Sequence, residues 1–138
     1  PIGLIKLVEV CCPKEIDLKT ILGKFHDFLI ENEYEIINVN SNRGYLANYL
    51  LFNEISTVFK AIEGNCYSVS DMQTVYDILY SKRDIFKIID VVGIDVTYKI
   101  LMNLKEEDDS IYIPKSLEKA LTQNIFGKKN NTSIKSVL

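Results

Sequence analysis

Residues 4–11 form an apolar run broken only by Lys6 and Glu9 and halted by Cys12-Pro13, which predicts a β-strand. On a period of two, Glu9 shares a face with Ile5, Leu7 and Cys11, so a carboxylate stands among apolar neighbours. Leu18, Ile21, Leu22, Phe25, Phe28 and Leu29 then follow helical spacing and predict one amphipathic helix over residues 17–30. Residues 34–39 read as a second strand. A β-α-β order of this kind suggests the tail of an α/β sheet.

After Ser41 the pattern is helical only. Leu51, Ile55, Val58 and Ile62 make a stripe along a helix over residues 45–63, with Gly64 as its stop and Asn48 inside the stripe. Ser68-Val69-Ser70-Asp71 has the form of an N-terminal cap for a helix carrying Met72, Val75, Ile78 and Leu79. A third helix spans residues 84–92 and ends at Gly93. Asp95 is expected to cap a fourth over residues 96–104, and residues 106–109 read as an acidic, solvated loop. After Pro114 a fifth helix runs through Leu117, Ala120 and Leu121 and closes at Phe126-Gly127. Residues 128–138 are polar and weakly patterned. The change of character divides the chain into residues 1–40 and residues 41–138.

A length of 138 residues suits one domain, or a small domain with a piece of another. With a net charge of −3 and no basic, aromatic groove, nucleic acid is not an expected partner. No apolar run reaches the length of a membrane span, so no membrane is expected either. Three cysteines, Cys11 and Cys12 adjacent and Cys66 distant, make no disulfide framework and point to a reducing compartment, the cytoplasm. The single histidine, His26, and the lack of a Cys-x-x-Cys leave no expected metal site. The chain opens at Pro1 directly into a strand pattern, which reads as a domain cut from something longer.

The candidate residues each have a plain reading beside the chemical one. Glu9 is either an exposed sheet residue or a functional carboxylate, and its apolar face-mates argue for burial. Asn48 reads as a helix-start residue bonded to nearby backbone, or as a functional amide. Lys128 and Lys129 suit a helix C-terminus. His26 falls at the margin of its helix's apolar stripe as a boundary histidine, and Cys11 and Cys12 read as small core residues. No Gly-rich phosphate loop and no Ser-His-Asp or Cys-His pairing is present. On these residues alone, function stays open.

Four segments in order carry a resemblance. Pro1-Ile2-Gly3-Leu4-Ile5-Lys6-Leu7-Val8-Glu9-Val10 resembles the stretch of the 3-hydroxyacyl-CoA dehydrogenase family that ends in Lys-Leu-Val-Glu-Val. Gly44-Tyr45-Leu46-Ala47-Asn48-Tyr49-Leu50-Leu51 resembles its helix entry, Pro-Gly-Phe-Ile-Val-Asn-Arg-Leu-Leu. Asp90-Val91-Val92-Gly93-Ile94-Asp95-Val96-Thr97-Tyr98 resembles Asp-Leu-Val-Gly-Leu-Asp-Val-Thr-Tyr, and Asn124-Ile125-Phe126-Gly127-Lys128-Lys129 resembles its Phe-Gly-Lys-Lys. The chain departs from the family at Arg43, at Tyr49, at Arg83-Asp84-Ile85-Phe86-Lys87 and at Asn130-Asn131-Thr132-Ser133, where the family's terminal glycines are missing.

The resemblance implies a mainly α fold, the C-terminal multi-helix dimerisation and substrate domain of the 6-phosphogluconate-dehydrogenase-like type. A short β-α-β remnant of a Rossmann domain would precede it. It also implies NAD-dependent oxidation of (S)-3-hydroxyacyl-CoA to 3-oxoacyl-CoA by a homodimer. Glu9 matches the glutamate that pairs with the catalytic histidine, Asn48 the asparagine that positions the reacting oxygen, and Lys129 the lysine that reaches the dinucleotide. The histidine and the phosphate loop would lie before Pro1, so this chain alone is expected to be inactive and not to hold NAD. The other reading is a non-catalytic dimerisation or acyl-CoA-binding module.

Overall fold

The computed structural model describes residues 6–39 and 45–138. The expected strand residues Leu4 and Ile5, and Arg43 and Gly44 at the helix entry, lie outside the described residues. Two compact units emerge, one reaching to Tyr49 and the other running from Leu50 to Leu138.

In the first unit, β1 (Leu7–Val10) pairs in parallel with β2 (Glu35–Asn38), with Leu7 opposite Glu35 and Glu9 opposite Ile37. Parallel pairing needs a crossover, and the intervening chain supplies it as helix. That crossover is not the single helix the spacing predicts. α1 (Leu18–Leu22) stops and α2 (Lys24–Glu31) begins at Gly23, whose φ of +53° and ψ of −130° suit only glycine. The break turns the two halves of the apolar stripe apart. Leu29 alone of that stripe is buried, while Phe25 and Phe28 are each 53% exposed and stack on one another at 5.9 Å. Cys11 is exposed and Cys12 only half-buried, so neither is the core residue expected of it.

α3 (Leu46–Glu63) is the long helix expected, but its buried face is Phe52, Ile55, Ser56, Val58 and Phe59. Burial therefore begins one turn after Asn48, which is exposed rather than part of the stripe. The second unit continues with α4 (Val69–Leu79), α5 (Ile85–Val92), α6 (Ile94–Glu107) and α7 (Lys115–Thr122). Ser68 and Asp71 form the reciprocal cap foreseen for α4, and Asp84 caps α5 by accepting from the Lys87 amide. Phe52, Phe59, Phe86, Ile89, Leu101 and Leu117 are fully buried at the centre of this unit. The result is the mainly α fold with a short β-α-β leader that the sequence suggests.

Two expectations are corrected here. Gly93, not Asp95, is the N-cap of α6, because Asp95 lies within the first turn. Glu106 and Glu107 are the last residues of α6 rather than loop. The weakly patterned tail is ordered: it forms two 3-10 turns, Gly127–Asn130 and Ile134–Val137, and buries Ile134 and Val137. The Asp90 carboxylate accepts the Ile134 amide at 2.8 Å and anchors that last turn.

Candidate functional site

The first unit carries a cleft of about 640 Å³ lined by Leu7, Val8 and Glu9 of β1, by Phe25, Phe28 and Leu29 of α2, by Tyr34, and by Tyr45, Ala47 and Asn48 at the start of α3. Its wall is apolar and aromatic, with few polar groups, which is the general character of a small-molecule site. Glu9 is half-buried and Asn48 exposed, and both border this one cleft. Sequence reasoning singled out both, but it missed the aromatic wall. The available signal was Gly23, which interrupts the helical stripe before Phe25.

The Glu9 carboxylate is held in place. Its Oε1 accepts the Ala47 backbone N–H at 2.8 Å, bridging β1 to the first turn of α3. Lys6, just before β1, donates to the Asn32 carbonyl at 2.8 Å and lies 4.5 Å from the centre of the Tyr34 ring. His26 is partly buried, with Nδ1 3.5 Å from Asp27, and is the boundary residue its position suggested.

Lys129 belongs to the second unit. Its ammonium donates to both oxygens of Asp95, and its Cε lies only 2.8 Å from where a Cβ on Gly93 would stand. The hydrogen bond from Lys129 holds the Asp95 carboxyl below the usual aspartate range. Nearby, Asn131 takes the left-handed conformation at φ +57° where the family motif has glycine; asparagine tolerates this region better than other side chains.

Among the described residues, the fit to a dinucleotide is partial at most. The connection after β1 contains Pro13 and no glycine before Gly23, so that connection is not a Gly-rich phosphate loop, and the Lys129 ammonium is engaged by Asp95. Among the described residues no cluster of His, Cys, Asp or Glu is arranged to hold a metal ion, and no helix is long and apolar enough to cross a membrane.

No protein-family model matches the chain, and no curated protein sequence matches it. Solved structures do. FadB2 of M. tuberculosis superposes with a TM-score of 0.77 at 18% identity, over 95% of this chain and 47% of that one. The (S)-3-hydroxybutyryl-CoA dehydrogenase PaaH1 of Ralstonia eutropha gives 0.75 at 15% identity, over 95% and 47%. The 3-hydroxybutyryl-CoA dehydrogenase of Escherichia coli K12 gives 0.70 at 14% identity, over 95% and 28%. The chain has the fold of part of a 3-hydroxyacyl-CoA dehydrogenase. It spans less than half the length of each of these three proteins.

Proposed function

We propose that this chain is the helical portion of an NAD-dependent 3-hydroxyacyl-CoA dehydrogenase, which oxidises (S)-3-hydroxyacyl-CoA to 3-oxoacyl-CoA. The observation that supports the reading is that Glu9 and Asn48, the two residues matching the family's polar site positions, line one cleft. Glu9 would orient a histidine supplied from outside this chain and stabilise its cation. Asn48 would hold the substrate's reacting oxygen through its amide. Lys129 is proposed to reach the dinucleotide, which requires it to exchange Asp95 for that ligand. The dinucleotide's other contacts must come from residues beyond these.

The test is NADH oxidation with acetoacetyl-CoA by the longest natural protein containing these residues, beside Glu9→Gln, Asn48→Ala and Lys129→Ala. The expectation is turnover lowered about a hundredfold by each of the first two changes, a typical worth for a positioned proton-transfer group or its partner. Lys129→Ala should weaken NADH binding and leave acetoacetyl-CoA binding unchanged. Activity indifferent to both Glu9 and Asn48 sinks the residue roles. An unmodified protein that binds acetoacetyl-CoA without turning it over is the non-catalytic acyl-CoA module instead.

The proposed assembly is a homodimer in the cytoplasm. Its support is the apolar stripe of α4, where Val75, Ile78 and Leu79 are uncovered and Ile78 is 75% exposed. Light scattering checks it, and a monomer at micromolar concentration contradicts it.

A further inference from the structure

We infer that Glu9 is a positioning residue that fixes the entry of α3, and with it Asn48, at the rim of the cleft. Among the described residues, none next to the start of α3 in sequence caps it with a side chain. Its first intrahelical bond runs from the Tyr49 amide to the Tyr45 carbonyl at 2.9 Å, so the amides of Leu46, Ala47 and Asn48 precede the ladder. The first turn carries no acidic residue, and Tyr45 has no short polar side chain to fold back onto those amides.

Glu9 supplies an acceptor from 38 residues away in sequence. Ala47 is the second residue of the helix, one of the two positions a local cap reaches, and the positive end of the helix dipole favours a carboxylate there. β1 is pinned to β2 by its register, so the bond ties the helix entry to a fixed element. Asn48 is the next residue, and the placement of its side chain follows that of the Ala47 backbone. A carboxylate has two oxygens and about four acceptor sites, so the bond to Ala47 is compatible with a second donor. The two polar residues of the cleft are thereby one mechanical unit. The inference relies on the dehydrogenase reading only for what Asn48 does to a substrate.

Residue-resolved amide exchange by NMR on the 138-residue chain tests this without nucleotide or acyl-CoA, so its failure and that of the activity assay are separable. In Glu9→Ala, protection of the Ala47 amide should fall roughly fivefold, the loss expected for a helix cap, and the Asn48 side-chain amide resonances should move. Amides from Phe52 to Ile62 should keep their protection. Glu9→Gln, whose side-chain oxygen accepts the same bond, should restore Ala47. Unchanged Ala47 and Asn48 signals, losses spread equally over β1 and β2, or no rescue by glutamine each overturn the inference. Should Glu9→Ala fail to fold, Glu9→Asp keeps the charge on a stem one methylene shorter. It must lose protection at Ala47 while β1 and β2 hold, and retained protection there overturns the inference too.

Discussion

The ammonium of Lys129 donates to both carboxylate oxygens of Asp95, at 2.6 and 2.9 Å, and so ties the first 3-10 turn of the tail to the first turn of α6. The lysine stem passes over Gly93, where any side chain would collide with it. The pair lies at the surface, and its energetic weight is modest.

Asp95 is held below the usual aspartate range chiefly by the hydrogen bond from Lys129. A folded-state value depressed in this way means that the stabilisation is present above the unfolded aspartate value of about 4 and is lost as pH falls through the folded value. At this exposure it amounts to roughly 0.5 kcal/mol. Lys129→Met should therefore lower Tm at pH 7 by about 2 °C, with the gap closing in acid, below the ordinary aspartate value of about 4. Thermal melts at neutral pH and in acid check this, and a gap unchanged by acid contradicts it.

Glu63 gathers the end of α3 onto the start of α7. Its carboxylate accepts from the Tyr112 hydroxyl, the Lys115 and Ser116 amides and the Ser116 hydroxyl. Burial alone would raise its pKa, but the hydrogen bonds from Ser116 and Tyr112 outweigh burial and hold it low. In return, the hydrogen bond to Glu63 pushes the Tyr112 phenol up to about 12. Glu63→Ala should cost about 2–4 kcal/mol in urea unfolding, because several donors lose their acceptor at once. The Tyr112 titration, followed by NMR, should drop back toward the ordinary value of about 10.

Gly127 sits at φ +77° with its Cα against the Asp90 backbone, and a Cβ there would lie 2.4 Å from the Asp90 carbonyl oxygen. Gly127→Ala combines left-handed strain with a backbone collision, together at least about 2 kcal/mol. Gly23 has a positive φ but open space around it, so Gly23→Ala should cost less, the strain term alone. Comparing the urea midpoints of the two variants checks the order.

Ser68 and Asp71 close the capping box of α4, each side chain meeting the other's backbone amide. Ser68→Ala should cost about 1 kcal/mol. Loss of α4 protection in hydrogen exchange, with α5 and α6 unaffected, is the expected local signature.

Much of the secondary structure was legible because its causes are local. Stripe spacing in α3, the Ser68 cap and the stops at Gly64 and Gly93 depend on neighbours a few residues away. The candidate site residues Glu9 and Asn48 were visible as polar intrusions, yet their setting was not. Helical phase alone put Asn48 in the buried stripe, whereas burial of α3 starts at Phe52. Asp95 looked like a cap because an aspartate after Gly93 fits that role locally; its actual partner, Lys129, stands 34 residues on. The tail looked weakly patterned because Ile134 and Val137 are isolated apolar residues in a polar stretch, and only packing shows them buried.

By itself the sequence determined the order and type of most strands and helices and which polar residues stand out among apolar ones. Tertiary structure decided what those residues touch: Glu9 the Ala47 amide, Asp90 the Ile134 amide, Glu63 the start of α7. The physical reason is range. Backbone periodicity and capping act over one or two helical turns, while a carboxylate finds its donor wherever the folded chain brings one, here 38 to 53 residues away.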